Sequence, residues 1–215
     1  DERCIVPRSF IGELLMTGLA DPTRGLIDDP DAVGSVLDLC AGGGSLAILA
    51  ARVFPNARID AVDLSADALA VAARNVEEHG LEDRVALHRG DLYAALPRGR
   101  RYDLILTNPP YVTQAAVDAF PPEYAAEPRM AHLGGKDGLD LVLKIIDGAP
   151  ARTTAAGGMV CEIGMGRERL EALRPDLPFL WLDTATSAGE VFWLAAGDFP
   201  VPSAKRKKAK KPLKG

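Results

Sequence analysis

The stretch Thr107-Asn108-Pro109-Pro110-Tyr111 carries the most specific chemistry in the sequence. Two consecutive prolines give no N–H to a strand ladder and hold the chain in a stiff, extended path. That rigidity aims two acceptors, the Asn108 side-chain oxygen and the Pro109 carbonyl, and Tyr111 adds a flat ring. A planar NH2 group has two protons, and this pair of acceptors binds both while the ring lies on the flat group. An amide or aniline-like nitrogen delocalises its lone pair and is a poor nucleophile. Fixing both N–H groups orients that nitrogen for attack, and positioning of this kind supplies up to ~7–11 kcal/mol. No general base is needed first, because the nitrogen becomes strongly acidic once it is substituted. The plainer alternative is a proline-rich turn that ends a strand.

A second constellation lies upstream, in Asp38-Leu39-Cys40-Ala41-Gly42-Gly43-Gly44-Ser45. Glycines at a strand exit let the backbone pass close to a ligand and enter a helix whose N-terminus is electropositive. Asp63 closes the next apolar run, where a carboxylate accepts hydrogen bonds from the vicinal hydroxyls of a ribose. Gly90-Asp91-Leu92 closes the third, placing an acid for an adenine amino group and an apolar residue for its ring. The glycines alone are a weak signal, since Gly42-x-Gly44-x-x-Ala47 with a later acid also fits a loose nicotinamide-cofactor pattern. Three acids closing three successive strands make a far more specific pattern.

These residues must be positioned by strands alternating with helices. Apolar runs predict strands over 35–40, 58–63, 85–89, 102–107 and 158–163. Helical spacing predicts helices over 45–53, 66–79, 139–149 and 167–173, with Ser65 as an N-cap and Gly80 as a C-terminal glycine. Ser9 is placed to cap a short amphipathic helix reaching Leu19. Such alternation means crossover units and a parallel sheet with helices on both faces. Residues 179–182 and 190–196 leave no room for a helix between them and predict a terminal antiparallel hairpin. The expectation is an α/β fold with a seven-stranded, mostly parallel sheet, and that architecture resembles the class I, Rossmann-like methyltransferases. Residues 1–30 read as a lead-in segment with a short helix, 31–198 as the domain, and 199–215 as a basic, disordered tail.

Composition narrows the setting. The chain has 215 residues, an apolar share of 47% and no apolar run of membrane-spanning length. Three scattered cysteines, Cys4, Cys40 and Cys161, lack metal-ligand spacing, which predicts reduced thiols, no metal site and a cytoplasmic location. No Ser/His/Asp or Cys/His set points to hydrolysis, and His79, His88 and His132 read as ordinary surface or core residues. The net charge of −5 hides seven basic residues and no acid in 203–215, so the body is more acidic still. The tail reads either as a solvated extension or as an electrostatic arm for RNA. The sequence opens Asp1-Glu2-Arg3 without a methionine, which fits a fragment of a longer protein.

Asn-Pro-Pro-Tyr resembles a motif of two groups, the DNA amino-methyltransferases and the glutamine-amide methyltransferases. Val6-Pro7-Arg8-Ser9-Phe10-Ile11-Gly12-Glu13-Leu14-Leu15 is similar to the segment leading into the catalytic domain of the protein-(glutamine-N5) methyltransferases. Glu127-Pro128-Arg129-Met130-Ala131 and Gly134-Gly135-Lys136-Asp137-Gly138-Leu139-Asp140 resemble the stretch after that family's catalytic loop. Pro7-Arg8-Ser9, where the release-factor enzymes usually have Pro-Arg-Pro, is similar to the branch acting on a large-subunit ribosomal protein.

The resemblance implies S-adenosylmethionine as cofactor. It implies cofactor contacts at Asp38, Cys40, Ala41, Gly42, Gly44, Asp63, Leu64, Asp91, Leu92 and Asn108, and amide contacts at Asn108, Pro109, Pro110 and Tyr111. Cys40 and Ala41 depart from the Gly-Thr that often begins the family's loop. Family members also carry a helical N-terminal domain that helps select the protein substrate, and these 215 residues do not include one. The expected acceptor is a glutamine of a ribosomal protein, with release factors next. A DNA amino-methyltransferase is the competing enzyme, but it needs a basic cleft that the acidic body does not offer. A non-catalytic, ribosome-associated cofactor-binding module is the reading from another class.

Overall fold

The computed structural model describes residues 9–19, 26–111 and 138–200. Outside them lie Cys4, His132, the 127–131 motif, most of the 134–140 motif, part of the lead-in segment and the basic tail. The short helix α1 (Phe10–Thr17) comes first. Then β1 (Ser35–Leu39), α2 (Ser45–Val53), β2 (Arg58–Asp63), α3 (Ala66–Glu78), β3 (Val85–Arg89) and β4 (Tyr102–Thr107) follow. After the undescribed stretch come α4 (Asp140–Gly148), β5 (Thr153–Glu162), α5 (Arg167–Leu173), β6 (Leu180–Leu182) and β7 (Val191–Ala195).

One seven-stranded sheet has the order β3-β2-β1-β4-β5-β7-β6. The first five strands are parallel, and β7 runs antiparallel to both β5 and β6. The predicted terminal hairpin is therefore present, with its second strand inserted next to β5. This is the expected α/β, class I methyltransferase architecture. Two buried cores explain the continuous apolar runs of the central strands. One face packs Val36, Ile59, Ala61, Leu104 and Leu106 against α1, α2 and Val76 of α3. The other packs Leu37, Leu39, Ile105, Met159 and Cys161 against Val142, Ile145 and Ile146 of α4 and Leu170 of α5.

Local signals account for most boundaries. Ser65 accepts from the Ala68 N–H at 3.2 Å and caps α3. Gly80 (φ 63°) ends that helix, with the Leu81 N–H returning to the Val76 carbonyl at 3.0 Å. Two expectations need correction. Ser9 does not cap its own helix through its side chain; its hydroxyl goes to Glu162 instead. Strand β5 begins five residues earlier than predicted, because its first half, with Ala155 and Ala156 exposed, has no apolar run to announce it. It is recruited by pairing, Tyr102 beside Thr153, across an irregularity before Leu104.

Candidate active site

Parallel register brings the carboxyl ends of five strands to one edge. Leu39 pairs with Val62 and with Thr107, Asp63 with Arg89, and Thr107 with Cys161. Across that edge the order is therefore Asp91, Asp63, the loop 40–44, Asn108 and Glu162. Strand order reverses between β1 and β4, and the crevice at such a switch point is where open α/β sheets bind ligands. All the candidate residues read from the sequence gather here. A cavity of about 430 Å³ lined by Arg101, Thr153, Thr154 and Phe199 lies at the amino ends of β4 and β5, a full strand length away.

The loop after β1 is bent by backbone conformation. Cys40 (φ 61°), Gly42 (φ 53°) and Gly44 (φ 79°) all take the left-handed region. Glycine adopts it without cost, whereas Cys40 does so at a strain on the order of 1–2 kcal/mol. At Gly44 space also matters, since a Cβ there would sit 3.2 Å from Cβ of Ala72 on α3. Asn75 on α3 donates from Nδ2 to the Gly43 carbonyl at 2.8 Å and ties the loop to the helix. The Thr107 hydroxyl donates to the Leu39 carbonyl at 3.0 Å, joining the ends of β1 and β4. Asn75 was not singled out from sequence, and Thr107 was named without this role, because nothing in their spacing reports which loop they reach.

Asp63 holds its loop from the next strand. One oxygen accepts the Gly42 N–H and the other the Ser65 N–H, each at 2.8 Å. A carboxylate oxygen keeps a second lone pair, so both can still accept from a hydroxyl. Leu64 beside it is 55% exposed, an apolar side chain left facing solvent. Leu92, partly buried, sits at φ 47° directly after Asp91, which is exposed.

Asp38 is fully buried. Its Oδ2 accepts the Ala47 N–H of α2 at 3.0 Å, while Oδ1 has no hydrogen-bond partner among the described residues. Burial pushes its pKa up to about 8, against the pull of the Ala47 bond. An acceptor stripped of water and left without a donor is expensive, so this oxygen fits a cationic donor brought by a ligand. Burial, with Asp63 and Asp38 beside it, pushes the Cys40 thiol far up, which leaves it unreactive as a nucleophile.

At the acceptor end, Pro109 is buried while Asn108, Pro110 and Tyr111 are partly exposed. The Tyr111 hydroxyl donates to Oε1 of Glu162 at 3.3 Å. Its ring covers Gly164 (φ 57°), where a Cβ would come within 2.7 Å of ring carbon Cε2. Burial and the neighbouring Glu162 push the Tyr111 phenol well up, so it stays protonated. Glu162 was missed in the sequence reading, because it ends an apolar run without any accompanying motif. His88 bonds Oδ1 of Asp60 at 2.8 Å, and Arg100 and Tyr102 meet Oδ2 at 2.6 and 2.8 Å. That cluster lies three residues back from Asp63 along β2, so His88 has the structural role expected of it. Among the described residues no group of His, Cys, Asp and Glu side chains could hold a metal.

Comparison with known proteins agrees with this architecture. The methyltransferase small domain family matches residues 14–122. A ribosomal protein uL3 glutamine methyltransferase of Bradyrhizobium diazoefficiens is 60% identical over 200 residues, 92% of this chain and 62% of that protein. One from Burkholderia pseudomallei is 51% identical over 207 residues, 94% of this chain and 66% of that protein. The chain thus spans less than two thirds of the length of these relatives. A methyltransferase of Pyrococcus furiosus shares the fold with a TM-score of 0.57 at 16% identity, covering 76% of each chain. With the family matched over residues 14–122, from within α1 to beyond β4, the chain belongs to the methyltransferase small domain family.

Proposed function

We propose that the chain transfers a methyl group from S-adenosylmethionine to the side-chain amide nitrogen of a glutamine in a ribosomal protein. The observation that carries the reading is Asn108-Pro109-Pro110-Tyr111 at the switch point of the sheet, beside a crevice edged by Asp38, Asp63 and Asp91. The similar proteins named as ribosomal protein uL3 glutamine methyltransferases support the acceptor class. A peptide chain release factor and DNA are the other acceptors to test.

The residues fit the cofactor. From Asp91 to Asn108 is three strand spacings, about 14 Å at ~4.8 Å each, room for an extended nucleoside–amino acid ligand. Asp91 takes the adenine amino group, with Leu64 and Leu92 as apolar surface for the ring. Asp63 accepts from the ribose hydroxyls while keeping its hold on Gly42 and Ser65. Cys40, Ala41, Gly42 and Gly44 line the amino acid portion, and the unpartnered Oδ1 of Asp38 takes its cationic amino group. When bound, the cofactor supplies an electrophilic methyl group on a sulfonium. On the acceptor side, the Asn108 oxygen and the Pro109 carbonyl accept the two amide protons, and Tyr111 covers the flat face. Asn108 also borders the cofactor crevice, so one residue serves both partners.

Residues 31–198 form the proposed catalytic domain, 1–30 its lead-in, and 199–215 a basic tail offered for RNA contact. No described helix is long and apolar enough to cross a membrane. The proposed ribosomal protein acceptor supports a cytoplasmic reaction.

Asn108→Ala is expected to lower turnover at least ~100-fold, the usual effect of losing one aimed polar group. Cofactor affinity should fall much less, because Asp63, Asp91 and the glycine loop remain. The assay offers labelled S-adenosylmethionine with unmethylated ribosomal proteins, release factors and DNA. Label on DNA alone, or normal turnover by the Asn108 variant, would reject the assignment.

A further inference from the structure

Glu162, the last residue of β5, is fully buried, and its hydrogen-bond donors come from two segments far from it in sequence, Ser9–Phe10 and Tyr111. Oε2 accepts the Ser9 hydroxyl at 2.8 Å and the Phe10 N–H at 2.9 Å, at the first turn of α1. Oε1 accepts the Tyr111 hydroxyl at 3.3 Å. These donors, and the Ile11 N–H that also reaches the carboxyl, are neutral. Burial raises the pKa of this carboxyl while those donors pull the other way. Among the described residues this carboxyl has no cationic partner, and burying it costs stability unless its hydrogen bonds are made, so what it holds together gives it a purpose. It caps α1 from 152 positions away, in the place the Ser9 side chain leaves vacant. It also holds the one residue of the acceptor stretch whose ring rests on Gly164.

We infer that Glu162 is a positioning residue for the transfer, acting through Tyr111. It fixes the phenol, seats the ring on Gly164, and thereby couples one wall of the acceptor site to the start of α1. Because Ser9 and Phe10 share the carboxyl with Tyr111, a displacement at the start of α1 reaches the acceptor wall through a single side chain. For its effect on turnover the inference rests on the amide-methylation reading; for the placement of Tyr111 it does not.

Two readouts keep those apart. In the full chain labelled with 3-fluorotyrosine, the Tyr111 fluorine resonance is assigned from its loss in Tyr111→Phe. Glu162→Gln replaces one acceptor oxygen by an N–H donor, so it cannot satisfy all three donors at once. It should shift or broaden the Tyr111 resonance while those of Tyr93 and Tyr102 stay in place. On a glutamine-bearing ribosomal protein acceptor, Glu162→Gln should lower kcat 10- to 100-fold, with cofactor Kd within twofold of wild type. Tyr111→Phe, which keeps the ring, should lower kcat about fivefold. The double variant should be no slower than Glu162→Gln alone, because both act through one link. If Glu162→Gln does not fold, Ser9→Ala removes one donor from the same carboxyl, and the same resonance should move, with a loss in kcat of several-fold. An unmoved resonance, or losses that multiply in the double variant, overturns the inference. A moved resonance in a protein that methylates no glutamine leaves the placement of Tyr111 standing and rejects the activity.

Discussion

Asp38 shows most directly how one side chain links fold and ligand. Its Oδ2 bond to the Ala47 N–H holds the start of α2 against β1, whereas Oδ1 is buried without a donor among the described residues. Asp38→Asn keeps an oxygen for Ala47 but cannot ionise to meet a cationic donor. Charge-assisted hydrogen bonds contribute about 1.5–3 kcal/mol, so the variant should bind S-adenosylmethionine tenfold or more weakly by calorimetry. Equal affinity would remove the amino-group contact from the proposal. Asp63 behaves differently, because both of its oxygens already brace backbone N–H groups. Truncating it would loosen the loop as well as remove the proposed ribose contact, which makes Asp38→Asn the cleaner probe of the cofactor.

At the scale of elements, turns govern what the strands present. The segment after β5 must pass under the Tyr111 ring, and Gly164 at φ 57° allows this because it has no Cβ. Gly164→Ala puts a methyl 2.7 Å from a ring carbon and a side chain in the left-handed region. The conformation alone costs about 1–2 kcal/mol, and the clash adds to it or pushes Tyr111 out. The expected outcome is a lower Tm together with lower kcat on the amide acceptor. An unchanged Tm would show that the turn has another conformation in solution. α1 teaches a complementary lesson. Its eight residues lack a local cap, and β5 supplies one through Glu162. Glu13 on the same helix accepts from Ala185 N and Thr186 Oγ1 in the β6–β7 turn, at 2.7 and 3.0 Å. The helix is thus anchored by tertiary bonds at both the sheet edge and the hairpin.

For the whole molecule, two of the buried carboxyls, Asp38 and Glu162, set a pH dependence of stability. Asp38 and Glu162 both have pKa values raised by burial, Asp38 to about 8. A carboxyl raised on folding binds its proton more tightly in the native state. Its contribution is therefore fully present below the unfolded pKa and is lost as pH rises through the folded one. For Asp38 that window runs from 3.8 to about 8. Thermal unfolding of the cofactor-free chain between pH 5 and 8 should show wild type losing stability relative to Asp38→Asn as pH increases. A constant difference across the range would mean that Asp38 is ionised throughout. Binding a cationic ligand at Oδ1 should flatten the same slope.

Much of this was legible in the sequence, for a physical reason. Periodicity and turn chemistry act over a few residues, so β2, β3, β4, α2 and α5 have the bounds expected from them. The terminal hairpin follows from a connection too short for a helix, and Asn108-Pro109-Pro110-Tyr111 stands out by composition as the candidate stretch at the end of β4. The three acids could be placed at one edge because parallel strands share a direction. Tertiary structure alone decided the rest. Only packing shows that one Asp38 oxygen is bonded while the other has no partner among the described residues, or that Ser9 bonds a carboxyl 153 positions away. The first half of β5 carries no apolar run and becomes a strand only because Tyr102 offers it a partner. Glu162 looked like an ordinary strand end until the fold gathered Ser9, Phe10 and Tyr111 around it. Local patterns record what a residue does with its chain neighbours; buried hydrogen bonds between distant segments exist only once the core has closed around them.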